Sequence, residues 1–177
     1  MIPLLIIAGV LALVVMAVLG YASTKPDEFR VVRSAVMNAP PEKVFPLIND
    51  FHRWTEWSPW EHKDPNLKRT YSGSASGVGA AYDWEGNKNV GKGRMDILES
   101  QPFKRIYIKL HFMVPFESVN HAEFKLEPEG GGTKVTWTMS GASKGFHKVL
   151  CVFMNMDKMI GKDFEQGLAN MNAAAQK

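Results

Sequence analysis

Apolar and polar positions divide the chain into three regimes. Every residue from Ile2 to Leu19 is uncharged and almost all are aliphatic, and the uncharged stretch continues to Lys25. As a helix rising about 1.5 Å per residue, Ile2 to Ala22 would cover about 30 Å, the thickness of bilayer hydrocarbon, with Tyr21 at an interfacial position. No Lys or Arg precedes the run, and it exceeds the usual signal-peptide core, so a retained anchor is favoured over a cleaved signal. The expectation is a single-pass membrane protein attached through an N-terminal transmembrane helix, residues 1–22, followed by a linker, residues 23–28, and one folded domain, residues 29–177. Lys25, Arg30 and Arg33, partly offset by Asp27 and Glu28, lean towards a cytoplasmic domain.

Beyond the linker the period is two. Phe29 to Met37 alternates as a first strand and is stopped by Asn38, Ala39, Pro40 and Pro41. Pro41 then opens a short helix with Val44, Phe45, Leu47 and Ile48 on its apolar face, limited by Pro46. Phe51, Trp54, Trp57 and Trp60 form an aromatic cluster, with Trp54 and Trp57 spaced for one helix face until Ser58 and Pro59 break it. Six further strands are read at Lys68 to Ser72, Ala80 to Trp84, Gly91 to Ser100, Arg105 to Phe112, Val119 to Pro128 and Thr133 to Ser140. Val135, Trp137 and Met139 share one face of the last strand and Lys134, Thr136 and Thr138 the other. Gly130 to Gly132 supply the preceding turn.

After Gly145 the period changes to about three and a half. Phe146, Leu150, Phe153, Ile160, Phe164, Leu168 and Met171 make one stripe of a long C-terminal helix whose only packing surface is the sheet. Asp157 interrupts that stripe. A carboxylate there requires a cationic or hydrogen-bonding partner if it is buried, and a structural bond to a strand or loop is the favoured reading over ligand or catalytic use.

Composition narrows the function. Lys and Arg number 21 against 18 Asp and Glu, a net charge of +3 spread along the chain, so nucleic acid is not an expected partner. Cys151 is the sole cysteine, which rules out an intramolecular disulfide. His52, His62, His111, His121 and His147 lack metal-ligand spacing, so no metal or other cofactor is expected. The Gly77-Val-Gly79 and Gly91-Lys-Gly93 fragments lack the full spacing of a phosphate loop, and Ala75 stands where a nucleophile elbow would carry serine. No catalytic residue is assigned.

The order of elements, with Asn38-Ala-Pro-Pro-Glu-Lys-Val-Phe45, Trp54-Thr-Glu-Trp-Ser-Pro-Trp60, Tyr82-Asp-Trp-Glu-Gly86, Gly131-Gly-Thr-Lys-Val-Thr-Trp137 and Met156-Asp-Lys-Met-Ile-Gly-Lys-Asp-Phe164, resembles the START-like (SRPBCC) superfamily of polyketide cyclase/dehydrase and lipid-transport-like bacterial proteins. The resemblance covers Phe29 to Asn172. It implies an α+β helix-grip fold, a curved antiparallel sheet wrapped around the long C-terminal helix, with a cavity between them for a lipid or other apolar small molecule. Candidate cavity residues are Trp57, Tyr82, Trp84, Phe124, Trp137, Met139, Phe153, Asp157 and Ile160. The favoured function is binding, transfer or sensing of such a molecule next to a membrane. The alternatives are a cyclase- or dehydratase-type enzyme with a cavity acid or base, and a membrane-tethered protein-interaction module.

Overall fold

The structure is a computed structural model that describes residues 2–143, 148–149 and 156–177. Helix α1 spans Ile2–Ser23, β1 Glu28–Met37 and α2 Pro41–Asn49; two 3-10 turns follow at Phe51–Glu56 and Pro59–His62. Strands β2 Lys68–Gly73, β3 Ala80–Glu85, β4 Lys92–Gln101, β5 Arg105–Val114, β6 Ser118–Glu129 and β7 Gly132–Ala142 precede the C-terminal helix α3, Met156–Ala175. The expected beginning of that helix, with Phe146, Leu150 and Phe153, lies outside the described residues.

All seven strands form one antiparallel sheet in the order β1-β7-β6-β5-β4-β3-β2. The chain therefore leaves β1 at one edge, crosses through α2 and the aromatic turns, and re-enters at β2 on the opposite edge. That path lays α2 and the turns across one face of the sheet. In β4 the pairing steps from Ile97 opposite Ile108 to Glu99 opposite Tyr107, leaving Leu98 as an extra residue that bends the strand. The alternation read in β7 holds: Val135, Trp137 and Met139 are buried on the inner face, where they meet Ala122, Phe124 and Leu126 of β6. Gly130 and Gly131 form the two-residue turn between these strands.

The Trp54 and Trp57 segment is a 3-10 turn rather than an α-helical face. Its geometry follows from the indole hydrogen bonds, because Trp57 Nε1 donates to Leu47 O at 2.7 Å and Trp54 Nε1 to Ile48 O at 3.0 Å. Carbonyls freed at the end of α2 thereby acquire donors, and both rings are driven inward.

Among the described residues no helix is long and apolar enough to cross a membrane. This corrects the expected single-pass membrane localisation and attachment through the N-terminal helix. Side chains such as Leu11, Leu13 and Met16 along α1 are exposed. Its C-terminal end meets the domain: Ala22 is buried, and Lys148 Nζ donates to Ser23 O at 3.4 Å and pairs with Asp27 Oδ1 at 2.6 Å.

Helix α3 grips the inner face through Phe164, Leu168 and Met171, all buried. The closest ring contact is Phe164 stacked on Trp137, with centroids 3.8 Å apart and planes within 8°. Phe164→Ala is expected to destabilise the domain by about 3 to 5 kcal/mol, the usual range for emptying a buried phenylalanine site, as read by urea denaturation.

Candidate functional site

The core is filled where α2 and the end of α3 cover the sheet, and opens where the N-terminal part of α3 faces β3 to β6. There a cavity of about 470 Å³ lies between the inner sheet face, the aromatic turns and α3. The strand register explains its wall. Asn120 pairs with Leu110, Leu110 with Met95 and Met95 with Tyr82, so these four residues form one inward-facing row across β6, β5, β4 and β3. Towards solvent, Trp84, Phe112 and Ser118 belong to the next row, and the exposed side chains of Phe116 and Met159 stand at the rim.

Five of the residues expected from sequence meet on this wall: Tyr82, Trp84, Trp137, Met139 and Ile160. Trp57 and Phe124 do not line it. Both are fully buried behind Trp137, Trp57 edge-on at 5.4 Å and Phe124 stacked at 4.8 Å, and belong to the filled core. Phe153 lies outside the described residues. Trp137 is also the one residue among those described with a buried side-chain polar atom, Nε1, that has no hydrogen-bond partner; aromatic rings surround it.

Asp157 is placed away from the cavity. Its side chain is 56% exposed and binds the Arg33 guanidinium through both oxygens, at 2.8 and 3.1 Å. Arg33 sits on the inner face of β1 opposite Trp137 and passes beneath α3 to reach Glu165 as well, at 2.7 Å. Its path crosses Gly161, where a Cβ would overlap the guanidinium. Asp157, Gly161 and Glu165 are spaced four apart, so one face of α3 presents a carboxylate, a gap and a carboxylate to a single arginine. The helical stripe predicted a partner for Asp157; it could not reveal that the partner comes from a strand 124 residues earlier.

Sequence reasoning missed a polar group in the cavity wall. Glu61 is buried; its Oε2 accepts from Arg69 Nε at 2.6 Å and its Oε1 accepts the Tyr82 hydroxyl at 2.7 Å, while Arg69 also donates to Glu61 O at 2.9 Å. Burial, then the hydrogen bond to Glu61, pushes the Tyr82 phenol well above the usual tyrosine range. Tyr82 therefore holds its proton and acts as a donor. The signal available in the sequence was weak: a single acidic residue directly after the Trp54 to Trp60 cluster. Among the described residues no group of three His, Cys, Asp or Glu could hold a metal ion.

Residues 28–176 match the family described as polyketide cyclase / dehydrase and lipid transport. The chain belongs to that family. Solved structures with the same fold include a Chromobacterium violaceum protein, 18% identical with a TM-score of 0.59, the match covering 86% of this chain and 99% of that one. A Nitrosospira multiformis protein is 21% identical with a TM-score of 0.60, over 82% of this chain and 94% of that one. StfQ, a di-domain ARO/CYC from the steffimycin biosynthetic pathway, is 10% identical with a TM-score of 0.64, over 84% of this chain and 51% of that one. At these identities the likeness carries the fold alone. No curated protein matches the chain.

In this member of the polyketide cyclase/dehydrase and lipid transport family, the Arg33 hydrogen bonds hold Asp157 below the usual carboxylate range. A folded-state value below the unfolded one stabilises the fold above the unfolded pKa, near 4, and the contribution is lost as pH falls through the folded value. Asp157→Asn is expected to lower Tm at neutral pH, with the difference from wild type closing below about pH 4. Glu165 still holds Arg33, so the variant's affinity for apolar probes should change little. A Tm deficit that persists in acid would show that the Arg33 pair is not its cause.

Proposed function

We propose that the domain binds an apolar small molecule or lipid in the cavity between the sheet and α3. The observation that carries this reading is the open space itself. Its volume falls within the roughly 300 to 1,000 Å³ of small-molecule sites, and its wall combines a wide apolar surface with few polar groups. An interaction module with no ligand has no use for such an interior. Leu110, Met95 and Met139 provide an adaptable aliphatic and thioether surface, and the aromatic faces of Trp84 and Trp137 suit acyl chains or rings.

A cyclase- or dehydratase-type enzyme is the second reading. It draws on the Glu61 carboxylate in the cavity wall and on the ARO/CYC designation carried by StfQ, a protein of the same fold. Binding is favoured because Arg69 and Tyr82 already engage both Glu61 oxygens, an arrangement suited to orienting a polar group.

Filling the cavity tests the proposal. Leu110 is the half-buried centre of the inward row, and Leu110→Trp projects an indole into the open space. With the delipidated full chain, decanol is expected to quench or shift tryptophan fluorescence saturably at micromolar concentration. Leu110→Trp should weaken that binding about tenfold or more, followed by displacement of a fluorescent apolar probe, while circular dichroism remains native. No saturable binding of decanol or the probe to wild type would overturn the cavity reading.

A further inference from the structure

We infer that Asn120 is a specificity-determining residue of this cavity: its amide hydrogen-bonds an oxygen at one end of an elongated apolar ligand whose other end carries a hydroxyl that donates to Glu61. The inference rests on the binding function proposed above and adds the chemical class of the ligand. In β6 the inner-face positions are Asn120, Ala122, Phe124 and Leu126, so an amide occupies a place where alternation puts an apolar side chain. Asn120 is only 6% exposed and lines the cavity. Among the described residues its one side-chain hydrogen bond is the 3.5 Å contact from Nδ2 to Ser118 Oγ, longer than an effective N–H···O bond. An amide held by one long contact keeps donor and acceptor capacity that a ligand group in the cavity can complete.

The neighbouring strand makes room for that amide. Gly141 lies directly across on β7, and a Cβ there would overlap Asn120 Oδ1. The space over Gly141 is therefore taken by the amide oxygen rather than by a side chain.

At the other end of the inward row stands Tyr82, bonded to Glu61. Three strand spacings separate Asn120 from Tyr82, about 14 Å between backbones at 4.8 Å each. Leu110 and Met95 occupy the two positions between them. The Glu61 oxygens each accept one bond from the protein and retain capacity for another, which a ligand hydroxyl can use. The complement of this wall is a molecule with an apolar middle and oxygen functions at both ends. Asn120 can donate to a carbonyl or hydroxyl there, or accept from a hydroxyl.

The test uses two probes of equal chain length, α,ω-decanediol and decanol, with the delipidated full chain. Asn120→Leu is expected to lower the ratio of diol to decanol affinity about tenfold. The side-chain amide resonances of Asn120 in the wild-type protein should move on saturation with the diol, a readout that holds even if the variant folds poorly. An unchanged affinity ratio in a folded Asn120→Leu variant, or amide resonances that stay in place at saturating diol, overturns the role of Asn120 while decanol binding leaves the cavity reading standing. Failure of both probes to bind wild type overturns the cavity reading and this inference with it.

Discussion

The position of α3 over the sheet is the constraint on which the cavity depends, and two contacts of different physical kind set it. Phe164 stacked on Trp137 fixes how closely the helix approaches β7, since ring faces 3.8 Å apart leave no space for further tilting. Arg33 fixes the rotation of the helix about its axis, because only one face offers Asp157 and Glu165 with Gly161 between them. The stack is buried and apolar, and contributes most to stability. The ion pairs are solvent-exposed on the carboxylate side and contribute chiefly geometry. Together they place Met159 and Ile160 over the mouth of the cavity and leave the space beneath them open.

The same aromatic network decides where the core ends. Trp54 and Trp57 are held by carbonyls at the end of α2, and Trp57 meets Trp137 edge-on while Phe124 stacks behind it. These rings fill the middle of the sheet. Beyond them no helix among the described residues lies directly upon the inward row of Asn120, Leu110, Met95 and Tyr82, so the change from packed interior to open volume occurs within a single sheet face. The bulge at Leu98 bends β4 across this region and adds to the concavity. A cavity bordered by rigid aromatic packing on one side keeps its shape when empty, which lowers the cost of binding.

Polar groups within the wall are few and differ in how well they are satisfied. Glu61 has a cation and a phenol, so its charge is balanced without a ligand. Among the described residues Asn120 has only a long contact to Ser118, and its side chain faces Gly141 across the strand pair. The asymmetry gives the cavity a direction, with a pre-organised acceptor at one end and an under-satisfied amide at the other.

Alternation and period alone determined most of the architecture. The inner faces of β5, β6 and β7 were legible because a half-buried strand must segregate apolar residues by parity, and α3 was legible from its stripe because a surface helix must bury one face. The same rules marked Asp157 as needing a partner. Other features depend on residues far apart in sequence. Asp157 finds Arg33 because β1 lies beneath α3, Trp57 and Phe124 become core rather than cavity wall because α2 covers them, and Glu61 reaches the interior because a 3-10 turn carries it against β3. Hydropathy predicted a membrane-crossing helix, and among the described residues no helix is long and apolar enough to cross. Local sequence specifies which face of an element is buried, because that follows from side-chain period. Whether the space opposite that face is filled or empty depends on the relative placement of elements, and only the tertiary structure decides it.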